Sequence, residues 1–337
     1  MANPILVEIT RGSLVESVHR GTIAIADAAG DIVFSLGDVA ALTYPRSSLK
    51  PIQALPLVES GAAEAFGLSD EEVALACASH SGEPMHTTRV AAWLSRIGCD
   101  ASDLACGAHP VRYEPVWEAM VKAGEEPTRI HNNCSGKHTG FLTVARHWDI
   151  ATKGYEHHDH PVQLAVAAAL GELSGLEGEL AWGVDGCAAP NFAVPLAAFA
   201  RALAKLAAAD QLAPTRANAA RRIVRSMIAH PELVAGTGRA CTILMRACGG
   251  RAAVKTGAEG YFAGLIPEVG LGIALKIDDG AGRAAETAMA AILDKLGILG
   301  REAHVILRAP VTNTRNAVVG ERRPAPALAG ASLPIRI

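Results

Sequence analysis

The chain has 337 residues, half of them hydrophobic and 4% aromatic, with a formal net charge of −3, and no basic block argues for nucleic-acid binding. Glycine, proline or charge interrupts the apolar stretches well before the ~20 residues that a membrane helix needs. The first residues lack the basic and apolar regions of a signal peptide, so we expect a soluble cytoplasmic protein that binds neither nucleic acid nor membranes.

Hydrophobic periodicity, turn residues and helix caps predict elements that begin and end with strands. In chain order, the predicted elements are strands within residues 3–36, helices over 45–59, 73–76, 87–97, 136–147 and 161–173, a strand over 180–183, helices over 193–208 and 214–229, strands over 252–255, 261–266 and 271–277, a helix over 284–296 and a strand over 304–308 before a proline- and arginine-rich tail. This order indicates an α+β fold with an antiparallel sheet and a helical lobe. Without an internal repeat or a linker, we expect a single domain over residues 1–337, which could contain two lobes.

A serine and a lysine form the first candidate catalytic pair. Ser47 and Lys50 stand three residues apart at the beginning of a predicted helix, a spacing that places both side chains on one face. A serine hydroxyl needs a base to become a nucleophile, and burial of a lysine favours the neutral amine that can serve as one. Ser48, two residues from Lys50, is expected to face away. The alternative is an N-cap serine followed by a solvated lysine, because this spacing often arises by chance.

Lys255-Thr256-Gly257 extends this pattern. Ser-x-x-Lys followed by Lys-Thr-Gly is typical of serine hydrolases of the β-lactamase and penicillin-binding type. The Ser-Asp-Asn element of that pattern is missing, and Ser79-His80-Ser81 follows the first motif more closely than in a β-lactamase. The motifs therefore predict a serine hydrolase, while this departure argues against hydrolysis of β-lactams.

A third cluster has the ligand types of a zinc site. Cys134 and Lys137 are three residues apart, and Cys187 lies in a tight Asp-Gly-Cys turn that can present a thiolate. Two thiolates suit zinc, and a site with few protein ligands keeps a position open for water or substrate. His138 and Asp185 are natural groups to orient the ligands. The spacing also allows two ordinary core cysteines, or nucleophilic catalysis by Cys134 with His138.

The other cysteines and histidines carry little signal. The chain has seven cysteines, an odd number, and no visible export signal, so we expect buried thiols rather than a disulfide framework. Residues 156–160, Glu-His-His-Asp-His, resemble metal ligands, but Pro161 follows them directly. We therefore predict a polar loop that caps the next helix.

Together, these motifs resemble the asparaginase II family, the Rhizobium-etli-type or class 3 L-asparaginases. The resemblance covers nearly the whole chain, to about residue 320. It rests on five linked motifs: Arg46-Ser47-x-x-Lys50-Pro51, Cys77-Ala78-Ser79-His80-Ser81, Asn133-Cys134-Ser135-Gly136-Lys137-His138, Asp185-Gly186-Cys187 and Gly238-Arg239-x-Cys241-Thr242.

The resemblance implies a fold similar to serine β-lactamases and bacterial glutaminases, usually as a homodimer. The implied reaction is hydrolysis of L-asparagine to L-aspartate and ammonia. The implied site has two serine–lysine tandems, a zinc ion that aids substrate binding more than chemistry, and four further lining residues. These are Ser47 with Lys50 and Ser79 with Lys255 for the tandems, Cys134, Lys137 and Cys187 for zinc, and Arg46, His138, Asp185 and Cys241 for the lining.

We expect a double displacement. Lys50 takes the proton of Ser47, Ser47 attacks the side-chain carboxamide, and backbone amides near Ser47 stabilise the oxyanion. Ser79 and Lys255 relay the proton to the leaving ammonia, and Arg46 is a candidate partner of the α-carboxylate. The sequence leaves open which tandem supplies the nucleophile, although the helix-start position favours Ser47. Two interpretations compete: another serine hydrolase of the β-lactamase or esterase type, and a non-catalytic, zinc-stabilised amino-acid-binding protein.

Overall fold

A computed structural model describes residues 2–333 and 335–337 of the chain. Its strands are β1 (Ile5–Arg11), β2 (Leu14–Ala26), β3 (Ile32–Leu36), β4 (Leu42–Thr43), β5 (Trp182–Val184), β6 (Pro190–Phe192), β7 (Val194–Pro195), β8 (Ala253–Thr256), β9 (Tyr261–Ile266), β10 (Leu271–Ile277), β11 (Ala309–Thr312) and β12 (Val318–Pro324). Its α-helices are α1 (Lys50–Gln53), α2 (Leu55–Glu59), α3 (Ala62–Ala65), α4 (Asp70–Ala76), α5 (Pro84–Arg96), α6 (Glu114–Ala123), α7 (Ser135–His147), α8 (Pro161–Ser174), α9 (Leu196–Ala208), α10 (Pro214–Ala229), α11 (Pro231–Val234), α12 (Ala240–Ala247), α13 (Gly282–Lys295), α14 (His304–Leu307) and α15 (Pro326–Ala329). Short 3-10 helices are Arg46–Leu49, Ala101–Asp103, Arg129–His131 and Arg301–Ala303.

The described residues form two compact units. The sheet unit comprises Met1–Ser48, Val194–Ala208 and Ile243–Ile337, and the helical unit comprises Leu49–Ala193 and Ala209–Thr242. The α+β class predicted from the sequence, with an antiparallel sheet and a helical lobe, is confirmed.

The sheet unit is built on an antiparallel sheet with the strand order β11-β12-β1-β2-β10-β9-β8, in which β3 also pairs with β2. Strand β2 is long enough to serve two sets of partners. Its first half pairs with β1, and its second half lies between β3 and β10. The burial of β2 follows this division, since residues 21–26 are all buried and most residues before them are exposed or half-buried.

Helices α9 and α13 cover opposite faces of this sheet. A Cβ added at Gly272 of β10 would meet α9 at Ala204, whereas the next residue, Ile273, faces the side on which Met289 of α13 lies near Gly264. Successive strand residues point to opposite faces, so the two helices bury both sides of the central strands. This explains why β9 is buried along its whole length.

The helical unit is centred on α7. Its residues from Ser135 to Ala145 are all buried, because α2, α3, α4, α5 and α8 pack around it. A helix buried on every side is usually apolar all round. The first turn of α7 is instead polar, Ser-Gly-Lys-His, and buried polar side chains of this kind mark a candidate functional site.

Most predicted elements are confirmed, including the capping box before α4 and the polar loop before α8, where the His160 side chain accepts the Val162 N–H. The predicted helix over 45–59 is divided into a 3-10 turn, α1 and α2, with Pro51 and Pro56 in the first turns of α1 and α2. All seven cysteines are buried thiols. Among the described residues, no helix is both long enough and apolar enough to cross a membrane.

The strand predicted over 304–308 is wrong. Residues 301–307 are helical, and the strand β11 begins at Ala309. Ile306 is buried where α14 packs on α13, and its carbonyl accepts a hydrogen bond from Thr287 Oγ1 at 2.9 Å. Tertiary packing therefore overrides the β-branched composition of the segment. The tail that follows contains the strand β12, which pairs with β1.

Candidate active site

Ser47 lies in the 3-10 turn Arg46–Leu49, near the end of the first segment of the sheet unit. Arg46 has a φ of 53°, in the left-handed region that residues other than glycine rarely adopt. The Ser48 N–H donates to the Pro45 carbonyl at 3.1 Å and closes the turn. Backbone strain of this kind is concentrated at functional sites. Ser47 and Arg46 are half-buried, which leaves both side chains accessible to a small molecule.

Lys255 lies on β8, against this turn and within the same unit. The Ser48 Oγ donates to the Lys255 carbonyl at 3.0 Å, and the Lys255 side chain is buried. A Cβ added at Gly257 would lie 2.6 Å from the Pro45 carbonyl oxygen and 2.9 Å from the Ser48 Oγ. Only glycine therefore allows the chain after β8 to approach the turn that carries Ser47 so closely.

In the helical unit, the Lys50 amine is buried among hydrogen-bond acceptors. Its Nζ donates to the Ser79 Oγ at 3.0 Å, to the Cys134 Sγ at 3.1 Å and to the Ala78 carbonyl. Three acceptors match the three N–H groups of an ammonium. A neutral amine would keep two N–H groups and a lone pair, which could accept the Ser79 O–H instead. The contact can therefore pass a proton between Ser79 and Lys50 in either direction.

The loop that carries Ser79 is fixed by its backbone and by His80. The Ser79 N–H donates to the Val234 carbonyl at 2.9 Å, and the His80 N–H donates to the Asn133 carbonyl at 3.1 Å. The His80 Nε2 lies 2.9 Å from the Ser135 Oγ at the beginning of α7. Burial, and then the neighbouring charges, hold the pKa of His80 well below its usual value, so the ring is neutral.

The predicted zinc ligands meet inside the helical unit. Cys134 is the N-cap of α7, Lys137 lies in its first turn, and the Lys137 Nζ donates to the Cys187 Sγ at 3.0 Å. The hydrogen bond from Cys134, and then the Lys137 charge, hold the pKa of Cys187 well below its usual value. The same hydrogen bond, together with burial, raises the pKa of Cys134 to about 12. Burial lowers the pKa of Lys137, but the two sulfur groups outweigh it and raise that pKa.

Cys134, Lys137 and Cys187 thus place two sulfur atoms and an amine nitrogen in one buried cluster. Two sulfurs and a nitrogen are donor types that zinc accepts, so the residues fit the expected ion. Among the described residues, no three histidine, cysteine, aspartate or glutamate side chains gather closely enough to hold a metal ion. A zinc site here would thus depend on a neutral lysine as its third ligand.

Two features of the backbone hold this cluster in place. Cys187 lies in a turn in which the Ala188 N–H donates to the Asp185 carbonyl at 2.9 Å, and Ala188 has a φ of 74°. A Cβ added at Gly136 would lie 2.3 Å from the Leu75 carbonyl oxygen, so glycine alone lets α7 pack this closely on α4.

Of the other predicted lining residues, His138 and Cys241 are buried and Asp185 is half-buried. Burial, and then the Lys137 charge, lower the pKa of His138 to about 3, so its ring is neutral. Sequence reasoning missed Tyr155, whose hydroxyl lies 2.7 Å from the His138 Nδ1. Tyr155 belongs to none of the motifs, and no local pattern could have indicated it.

The sequence model of the family described as L-asparaginase II matches residues 7–324 of the chain. The chain belongs to the L-asparaginase II family. No curated protein matches the chain significantly.

Solved structures similar to this L-asparaginase II family member are distant. The crystal structure of Mglu in its native form is 14% identical, with a TM-score of 0.48, and the match covers 83% of this chain and 65% of that chain, which is just under two thirds of its length. A β-lactamase from Mycobacterium bovis is 14% identical, with a TM-score of 0.43 and coverage of 82% and 94%. Simvastatin synthase from Aspergillus terreus is 11% identical, with a TM-score of 0.41 and coverage of 80% and 90%.

Proposed function

We propose that the protein is an L-asparagine amidohydrolase, which forms L-aspartate and ammonia through a serine–lysine acyl-enzyme. Membership of the L-asparaginase II family supports the substrate class. The observation that carries the chemistry is the buried contact of 3.0 Å between the Lys50 Nζ and the Ser79 Oγ. A lysine amine enclosed with a serine hydroxyl is an arrangement that can activate a hydroxyl and carry its proton.

We assign the nucleophile to Ser47 rather than to Ser79. An acyl-transfer nucleophile needs backbone N–H groups aimed at the developing oxyanion. The N–H groups of Ser79 and His80 are already engaged by the carbonyls of Val234 and Asn133. Ser47 lies in the first turn of the 3-10 helix Arg46–Leu49 and is half-buried, so its hydroxyl is accessible to a small molecule, whereas Ser79 is buried. This difference in exposure supports the role that the Ser-x-x-Lys motif assigns to Ser47.

In the proposed reaction, Lys50 takes the proton of Ser47 while Ser47 Oγ bonds to the side-chain carbonyl carbon of asparagine. The carbon–nitrogen bond then breaks, and the nitrogen leaves as ammonia with a proton relayed by Ser79 and Lys255. Water hydrolyses the β-aspartyl ester and regenerates Ser47. Arg46 pairs with the α-carboxylate, with His138, Asp185 and Cys241 as further residues lining the site.

Cys134, Lys137 and Cys187 would hold a zinc ion, which would supply positive charge for binding the amino-acid head group. Zinc binding requires that Cys134 and Lys137 lose their protons, so the metal would compete with the hydrogen bonds that these side chains make. We further propose that the enzyme acts as a homodimer in the cytoplasm, which size-exclusion chromatography with light scattering and cell fractionation would test.

Ammonia release from L-asparagine and L-glutamine, with and without added zinc, tests the proposed function. We expect release from asparagine that is lost in Ser47→Ala. The variant Ser174→Ala, which removes a buried hydroxyl bonded to the Leu170 carbonyl, is the matched control and should keep the activity. If neither amide releases ammonia, even with zinc, the proposal is wrong. Turnover of nitrocefin or p-nitrophenyl esters would then identify another serine hydrolase, and asparagine binding without turnover would identify a binding protein.

A further inference from the structure

Of the two imidazole nitrogens of His138, one has a hydrogen-bond partner among the described residues and the other has none. Its Nδ1 lies 2.7 Å from the Tyr155 hydroxyl oxygen. Its Nε2 is fully buried and has no hydrogen-bond partner among the residues that the structure describes. The side chain itself is 0% exposed, so bulk water cannot easily satisfy this nitrogen. A buried polar group without a partner is costly and is rarely retained without a reason.

The hydrogen bonds of Tyr155 indicate which nitrogen of the His138 imidazole carries the proton. The Ala105 N–H donates to the Tyr155 hydroxyl oxygen at 2.8 Å, so that oxygen already acts as an acceptor. Tyr155 is 1% exposed, and its O–H must therefore donate to the remaining neighbour, the His138 Nδ1. A neutral imidazole that accepts at Nδ1 carries its proton on Nε2. The unsatisfied nitrogen of His138 is thus a hydrogen-bond donor.

This donor belongs to the same helix face as the candidate site. His138 follows Cys134 by four residues on α7, a spacing that places the two side chains on one face. The Cys134 Sγ is in turn hydrogen-bonded to the Lys50 Nζ, which contacts Ser79. Because the His138 Nε2 carries a proton, the partner that it lacks is a hydrogen-bond acceptor.

We propose that Tyr155 is a positioning residue, which holds His138 in the tautomer protonated at Nε2 so that this N–H donates to a carboxylate or carboxamide oxygen of the bound amino acid. The identity of this ligand rests on the proposed function, whereas the tautomer does not. The hydrogen bonds from the Ala105 N–H to the Tyr155 oxygen and from the Tyr155 O–H to the His138 Nδ1 fix the tautomer of His138 before substrate binds. The imidazole therefore does not have to change tautomer to donate its Nε2 proton to the substrate.

Nitrogen NMR of protein labelled with ¹⁵N-histidine tests the tautomer directly. We expect His138, assigned by its absence in His138→Gln, to show a protonated Nε2 and an unprotonated Nδ1 in the wild type. Tyr155→Phe should populate the other tautomer, whereas Tyr261→Phe, which removes another buried hydroxyl, should leave the His138 signals unchanged. A wild-type spectrum with the proton on Nδ1 would overturn the proposal, even if Tyr155→Phe fails to fold.

Ligand binding tests the second half of the proposal. Addition of L-aspartate, the reaction product, should shift the His138 Nε2 and its proton, and an unchanged signal at saturating aspartate would refute the role in binding. In kinetics, Tyr155→Phe should raise KM for asparagine about tenfold with little change in kcat, as expected for one hydrogen bond to the substrate. A fall in kcat at constant KM would refute a positioning role. If the wild type releases no ammonia, the proposed function fails while the tautomer measurement still stands.

Discussion

The close approach of α7 to α4 at Gly136 makes a quantitative prediction. In Gly136→Ala the new methyl group would lie 2.3 Å from the Leu75 carbonyl oxygen and 2.8 Å from the Leu75 Cγ, so the two helices must separate. Gly140 is the matched control, one turn later on the same helix. There the nearest atom, Leu57 Cδ2, is 3.4 Å away, which the neighbour can accommodate with little movement.

Alanine gains roughly 0.5–1 kcal/mol over glycine inside a helix, and this gain applies at both positions. Overpacking costs roughly 1–3 kcal/mol, and contact with a backbone oxygen lies at the upper end of that range. We therefore expect Gly136→Ala to lower the free energy of unfolding by about 2 kcal/mol and Gly140→Ala to raise it by up to about 1 kcal/mol. Equilibrium urea unfolding followed by circular dichroism measures both changes.

The same substitution tests how the candidate zinc ligands are held. Gly136 lies between Cys134 and Lys137, so a displaced α7 moves both ligands relative to Cys187. We expect the affinity for zinc, measured by isothermal titration calorimetry, to fall about 10–100-fold in Gly136→Ala, as it does when groups that orient metal ligands are lost. The affinity of Gly140→Ala should stay unchanged. Equal stability of the two variants would refute the packing argument, and equal zinc affinity would refute the link from packing to the cluster.

Three further predictions concern acid stability, proton transfer and metal. His86 is buried and burial lowers its pKa from 6.5 to about 4, so the unfolded chain binds more protons between these pH values and stability falls as the pH drops from 6.5 to 4. The loss should reach about 3 kcal/mol, and urea unfolding of His86→Gln should show a shallower pH dependence; an identical slope would contradict the assignment. Ser79→Ala should lower kcat for asparagine by roughly 10²–10⁴ with KM nearly constant in steady-state ammonia assays, because it removes a proton relay, and an unchanged kcat would exclude that role. Removal of zinc by a chelator should raise KM more than it lowers kcat in the same assay, and the reverse pattern would place the metal in the chemical step.

Much of the fold could be predicted because hydrophobic periodicity, turn residues and helix caps are features of short sequence segments. The bounds of α10 and of strands β9 and β10 agree with prediction to the residue. In α10, Pro214 supplies a clear first turn. The segment after residue 300 could not be predicted in this way. Its helix depends on packing against α13, and β12 is an arginine-rich strand whose Arg323 pairs with Glu8 at 3.4 Å on the neighbouring strand.

In the candidate site too, pairs that are close in the sequence could be predicted, whereas contacts between residues distant in the sequence could not. Motif spacing indicated Ser47 with Lys50 and Cys134 with Lys137, because each pair is separated by about one helical turn. The hydrogen bond of Lys50 to Ser79 joins residues 29 apart, and that of Lys137 to Cys187 joins residues 50 apart. Contacts of this kind depend on how helices and turns pack, so only family resemblance could bring these residues together before the structure.

Mapping of the acyl-enzyme tests the central claim most directly. The protein would be mixed with L-asparagine, quenched in acid within one turnover and cleaved after glutamate, which separates Ser47 from Ser79 at Glu59. Mass spectrometry should locate a β-aspartyl ester on Ser47, with none in Ser47→Ala. An ester on Ser79, or ammonia release without any covalent intermediate on serine, would contradict the account.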